Sequence, residues 1–154
     1  MISPELLRRY PFFNFMNDTE LKAVAMIAEE VVIEKGAIIF NAKETARMLY
    51  FLEDGSATNF FIVENSGSMH KELYIGEINP GELFGISALI EPYIYTATMR
   101  ADKKCRVIRI EAASLRALCE VDTRLAYALM QATAKAVIQR LESTRVQLAA
   151  AQAH

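Results

Sequence analysis

The sequence is poor in the residues that staple, ligate or attack. Two cysteines in 154 residues make no disulfide scaffold, and none is needed: a chain of about 150 residues buries roughly 70% of the surface that it exposes when unfolded. Cys105 and Cys119 fall in different predicted elements without metal-ligand spacing, and they read as reduced, buried thiols of a cytoplasmic protein. The two histidines, His70 and His154, make neither a catalytic dyad nor a metal set. There is no phosphate-loop lysine motif, no Gly-x-Ser-x-Gly and no Cys-x-x-Cys. With no nucleophile beside a base, no catalytic residue and no metal ligand is expected, and the chain reads as a non-enzyme. One-signed charge is also missing. Lys and Arg number 17 against 19 Asp and Glu, for a net charge of -2, which argues against direct nucleic-acid binding. The basic cluster Arg100, Lys103, Lys104 and Arg106 is interrupted by Asp102 and reads as a solvated hairpin tip. No apolar run approaches the roughly 18–20 residues that span a bilayer, so no membrane contact is expected. Arg8-Arg9 leads into Pro11 and Asn14 rather than an apolar stretch, so the N-terminus is not a signal peptide.

What is present is an ordinary globular composition, 53% hydrophobic and 23% charged, at a length that suits one domain. Ser3-Pro4-Glu5 is a helix start, a capping hydroxyl followed by proline at the first helical position. Pro11 stops that helix. Asn17-Asp18-Thr19-Glu20 starts another with the spacing of a capping box, and Leu21, Val24, Ala25, Ala28 and Val31 share one helical face. From about Val31 to Ile110, short apolar runs alternate with turns at Lys35-Gly36, Asp54-Gly55, Glu64 to Ser68 and Gly76. This is the texture of a jelly roll or barrel-like antiparallel sandwich. Within it, Pro80-Gly81-Glu82-Leu83-Phe84-Gly85 precedes Ile86 to Ile90, which fits a single helical turn.

Ala112 to Cys119 is a short amphipathic helix. Asp122 can cap the next one, which contains no glycine or proline through residue 154. Tyr127, Met130, Ala134, Val137, Leu141, Thr144 and Leu148 are spaced alternately by three and four, a three-heptad seam. Leu125, Leu129, Ala132 and Ala136 form a second stripe. One helix with two apolar faces needs two partners, so one face is expected on the β-roll and the other on the same helix of a second subunit. The chain divides into a roll with short flanking helices, residues 1–121, and a dimerisation helix of the same domain, residues 122–154.

This order resembles the cyclic-nucleotide-binding domain of the catabolite-activator (Crp/Fnr-like) regulators over nearly the whole chain. The residues that carry the resemblance are Lys35-Gly36 with Ile38, Phe51-Leu52-Glu53-Asp54-Gly55, Pro80 to Gly85, Ala88-Leu89, and Thr96-Ala97 followed by Arg100-Ala101. It implies a mainly β fold, a double-stranded β-helix with N-terminal helices and a long C-terminal helix. It also implies a phosphate-binding cassette, in which a glycine lets the backbone approach the ligand and a short helix offers N–H groups. A glutamate there binds the ribose, an arginine pairs with the phosphate, and a Ser or Thr adds a donor.

Gly85 matches the cassette glycine and Thr96 the hydroxyl residue. Ile86 stands at the glutamate position and Tyr95 at the arginine position. Hydrogen bonds to charged groups are worth roughly 1.5–3 kcal/mol, so losing the arginine alone weakens a phosphate ligand by roughly 10- to 150-fold. The resemblance places Gly85, the backbone of Ile86, Ser87 and Ala88, and the side chains of Tyr95 and Thr96 around any anion, with Thr144 sensing it from the helix. Arg100 is a conceivable substitute cation. The expected ligand is cyclic AMP or cyclic GMP, bound weakly, or an altered small ligand. The alternative is a ligand-free interaction module that signals through an unidentified protein partner. Relatives that regulate transcription continue into a helix-turn-helix. This sequence ends at His154 without one and reads as a sensor half, either natural or cut from a longer regulator.

Overall fold

The computed structural model describes residues 1–64 and 70–153. The turn over Asn65–Ser68 and the terminal His154 lie outside these residues. The expected helix caps form. Ser3 accepts from the Glu5 amide at 3.1 Å at the start of α1 (Pro4–Arg8). At the start of α2 (Asp18–Met26), Asn17 Oδ1 accepts from the Glu20 amide and Glu20 Oε1 from the Asn17 amide, each at 2.9 Å. Between them, Pro11–Phe15 coils as a 3-10 turn where the sequence showed only a stop.

α2 ends earlier than its spacing suggests. Ala28 and Val31 belong to strand β1 (Ala28–Ile33), which pairs antiparallel with β8 (Cys105–Glu111) from Ala28↔Ile110 to Ile33↔Cys105. Apolar residues three apart fit a helix, but the β-branched run Val31-Val32-Ile33 loses side-chain freedom there and suits a strand.

The other strands are β2 (Ile38–Phe40), β3 (Met48–Asp54), β4 (Ala57–Glu64), β5 (His70–Ile78), β6 (Leu83–Phe84) and β7 (Thr98–Ala101). Two four-stranded antiparallel sheets, ordered β1-β8-β3-β6 and β2-β7-β4-β5, make the expected roll. Strand β3 is buried on both faces, and consecutive side chains of a strand point to opposite sides. Tyr50 points inward, its ring 5.0 Å from Phe84 and 5.8 Å from Phe40. Phe51 points outward, where Tyr10, Phe12 and Phe13 cover it at 5.0, 5.6 and 4.9 Å. Aromatic pairs of this kind add about 0.5–1.5 kcal/mol each beyond burial. The N-terminal segment is thus the roll's second lid.

Helices α3 (Ala112–Val121) and α4 (Thr123–Gln152) complete the chain. Asp122 caps α4 as expected, accepting from the Leu125 amide at 3.0 Å. Leu125, Leu129 and Thr133 are buried. Arg124 pairs with the buried carboxylate of Glu20 and donates to the Phe15 carbonyl at 3.1 Å, so the start of α4 is bound to the capping box of α2. From Leu141 to Gln152 the helix is exposed all round.

Glu53, on β3, accepts from the Tyr10 hydroxyl at 2.7 Å. Burial, reinforced by the neighbouring Glu30 carboxylate, raises its carboxyl to about 7. The native state therefore holds a proton between about pH 4.5 and 7 that the unfolded chain releases. Its stabilising contribution is full below the unfolded value and is lost as pH rises through 7. Glu53→Gln imitates the protonated form. Thermal melts should show the variant matching the parent near pH 5 and melting above it at pH 8.

Candidate ligand site

The cassette begins where the β3 backbone holds the preceding turn: the Gly81 amide donates to the Leu52 carbonyl at 2.8 Å, and the Leu52 amide to the Glu82 carbonyl at 3.0 Å. Two residues of β6 then lead to Gly85, whose φ of 71° is left-handed. A Cβ at Gly85 would stand 3.1 Å from the Tyr50 ring and 3.3 Å from the Met48 carbonyl oxygen. Both backbone conformation and close packing therefore require glycine. The expected helical turn follows as a 3-10 turn, Ile86–Leu89. Its first two amides, those of Ile86 and Ser87, donate to no backbone carbonyl among the described residues, as expected of a helix start. Ala88 is buried, and its carbonyl accepts from Arg116 of α3 at 2.6 Å. That guanidinium also lies 3.9 Å over the Tyr93 ring, so the turn is clamped from behind.

Tyr95 closes the pocket from inside. Its ring stacks on Phe40 with centroids 3.8 Å apart and planes 13° apart. Its hydroxyl donates to the Met48 carbonyl at 2.5 Å and accepts from the Met48 amide at 3.3 Å. Burial holds this phenol well above its ordinary range, so it is neutral. The hydrogen bond that a tyrosine could offer an anion is thus already given to backbone. Gly85, Ile86, Ser87, Tyr95 and Thr96 do converge on one cavity, of about 60 Å³. Small-molecule pockets usually hold about 300–1,000 Å³, so the space is far short of a nucleotide.

Thr144 is not in that cavity. It lines a neighbouring cleft of about 360 Å³ between α4 and β5, and its hydroxyl donates back to the Arg140 carbonyl of its own helix at 2.9 Å. Arg100 does not serve as a substitute cation. It makes two 3.1 Å hydrogen bonds to Glu72 and lies 4.5 Å over the Phe60 ring, which engages the guanidinium on β5 away from the cassette lining. The seam residues Tyr127, Met130, Val137, Leu141 and Leu148 are 70, 37, 43, 46 and 56% exposed, with Ala134 and Thr144 also exposed. They form an apolar face that this chain does not cover.

Arg140 escaped the sequence reasoning. It lines both the cassette cavity and the neighbouring cleft, and it donates to the Leu83 carbonyl at the entrance to the cassette. A signal existed: Leu125, Leu129, Ala132 and Ala136 mark the face of α4 turned to the roll, and Arg140 is the next position on it.

Comparison with known proteins decides the family. The model of the cyclic nucleotide-binding domain matches residues 30–122. The chain belongs to the cyclic nucleotide-binding domain family. It is similar to a crystal structure from Geobacter metallireducens described as a cyclic nucleotide-binding protein, at 39% identity and a TM-score of 0.80, covering 92% of this chain and 99% of that one. The sensor domain of the transcriptional regulator DNR from Pseudomonas aeruginosa shares the fold, at 21% identity and a TM-score of 0.69, with 90% and 95% covered. A Rhodopseudomonas palustris protein described as a potassium channel is 23% identical over 131 residues, 85% of this chain. This chain spans about 30% of that curated relative's length.

Tyr95→Phe should keep the stack on Phe40 but leave the Met48 carbonyl without its donor. The expected loss is about 1–2 kcal/mol, read as a melting temperature lower by roughly 2–6 °C for a domain of this size.

Proposed function

We propose that this chain is a non-enzymatic, cytoplasmic sensor module in which residues 1–121 form the sensing roll and α4 the dimerisation helix, with a degenerate cassette that holds cyclic nucleotides weakly. The observation that carries this reading is Tyr95. It stands at the family's arginine position, stacked on Phe40 and bonded to Met48, so the cassette offers an anion backbone amides and small hydroxyls but no guanidinium of its own. Ile86, at the glutamate position, has no group for a ribose hydroxyl. The free amides of Ile86 and Ser87 with Thr96 would hold the anion, whereas Ala88, expected beside them, is off the cavity lining with its amide given to the Gly85 carbonyl at 3.1 Å. Thr144 would contact the ligand's far end from the helix. Ligand would act by binding one arrangement of roll and helix better than the other. Calorimetry with cyclic AMP and cyclic GMP should give dissociation constants no tighter than about 10 µM. Sub-micromolar binding would overturn the role given to Ile86 and Tyr95.

Dimerisation rests on the exposed seam. Exposed apolar side chains spaced alternately by three and four are what a parallel helix pair covers. Val137→Glu with Leu141→Glu should sediment as a monomer where the parent sediments as a dimer. The same species in both would remove the seam.

A further inference from the structure

We propose that Arg140 is the cation of this domain's ligand site, supplied by α4 rather than by the cassette, and that it takes up a phosphate-class anion at the cassette cavity. The inference rests on the sensor reading above and names the side chain that this reading lacks.

The first argument is charge. The Arg140 side chain is half-buried with its Nε fully buried, and burial pulls its pKa below the ordinary guanidinium value without neutralising it. A buried cation is stable when it is paired and fully hydrogen-bonded. Arg140 has neither satisfaction. No carboxylate lies within salt-bridge distance of it among the described residues; the carboxylate whose field it feels, Glu82, lines the same clefts but accepts from the Asn79 amide at 3.1 Å. Its Nε is buried without a hydrogen-bond partner, and its one protein acceptor is the neutral carbonyl of Leu83.

The second argument is place. Three cavities meet at this side chain. One is the cassette cavity, and another is the cleft lined by Ser143 and Thr144. The third is a cleft of about 310 Å³ between α4 and the turn at Gly81, which Lys135 also lines. Asn59 lies on the wall shared by the first two. An anion entering from the cleft would meet the guanidinium before any other cation on the cassette lining. Arginine suits this task because its planar fork can bind two phosphate oxygens at once.

The third argument is complementarity with Tyr95. Where the cassette position is filled by a stacked, backbone-bonded phenol, the positive charge has to come from another element. Among the described residues, Arg140 is the one arginine or lysine that lines the cavity. Its engagement would exchange the Leu83 carbonyl for the anion and so act directly on α4.

The test uses the full chain, with melting temperature followed against inorganic phosphate, cyclic AMP and cyclic GMP, each matched in ionic strength with potassium chloride. The parent should be stabilised by phosphate or by a nucleotide. Arg140→Gln should weaken that response at least tenfold, and Arg140→Lys, which keeps the charge without the fork, by a smaller factor. Arg100→Gln should respond like the parent, which separates site loss from general loss of charge. If Arg140→Gln does not fold, the Lys variant with its unliganded melt as reference carries the comparison, and an undiminished response there overturns the proposal. Phosphate binding that depends on Arg140 without any nucleotide response supports the proposal while defeating the nucleotide-sensor reading. Nucleotide binding that persists in Arg140→Gln overturns the proposal and leaves that reading standing. No response of the parent to any of the three probes overturns the proposal.

Discussion

The stack of Tyr95 on Phe40, fastened by two hydrogen bonds to Met48, is the constraint on which the site depends. It fills the interior end of the cassette with an uncharged ring and fixes the size of the cavity. Through Met48 and Tyr50 it also sets the wall that leaves room only for glycine at position 85. A flexible arginine at 95 could swing towards a ligand. A tyrosine buried between strands cannot turn without breaking backbone contacts. The roll is therefore stiff where relatives of this fold would be expected to adapt, and adaptation has to come from the helix side.

That helix is fixed to the roll in two different ways. At its start, Arg124 meets the buried carboxylate of Glu20, while Leu125 and Leu129 pack into the core. This is an ion pair and an apolar seat together, and it draws the N-terminal helices, the roll and α4 into one unit. Sixteen residues later, about 24 Å along the axis, Arg140 reaches a single carbonyl. The first attachment is redundant and the second is not.

Much of this was legible in the sequence because it rests on local chemistry. Ser3, Asn17 with Glu20, and Asp122 cap the helices that they announce, since a side-chain oxygen beside free amides needs no tertiary help. The turns over Gly36 and Gly55 mark strand ends because glycine takes positive φ without strain, whereas Gly76, expected to end a strand, lies inside β5. Two things were not legible. The end of α2 depended on β1 finding β8, a partner about eighty residues away, and spacing alone cannot weigh that pairing. Arg140 went unmarked because burial of a guanidinium is decided by what lies opposite, here the Leu83 carbonyl on β6. Thr144, expected on the seam, is exposed and also lines the cleft between α4 and β5. Its distance from the cassette followed from the path of the helix over β5, which no periodicity records.

The exposed stretch of α4 from Leu141 to Gln152 is an arm about 18 Å long. It begins just beyond the hold of Arg140 on the Leu83 carbonyl, which is where a bend would pivot. A rotation of about 10° at that pivot carries the tip sideways by about 3 Å, roughly two residues of helical rise. Interdigitated side chains tolerate far less than that before they lose register. On the proposed sensor reading, the length of unsupported helix would act as mechanical gain: a displacement at the cassette too small to reshape the roll would become, at the far end, a choice between meeting a second copy and missing it.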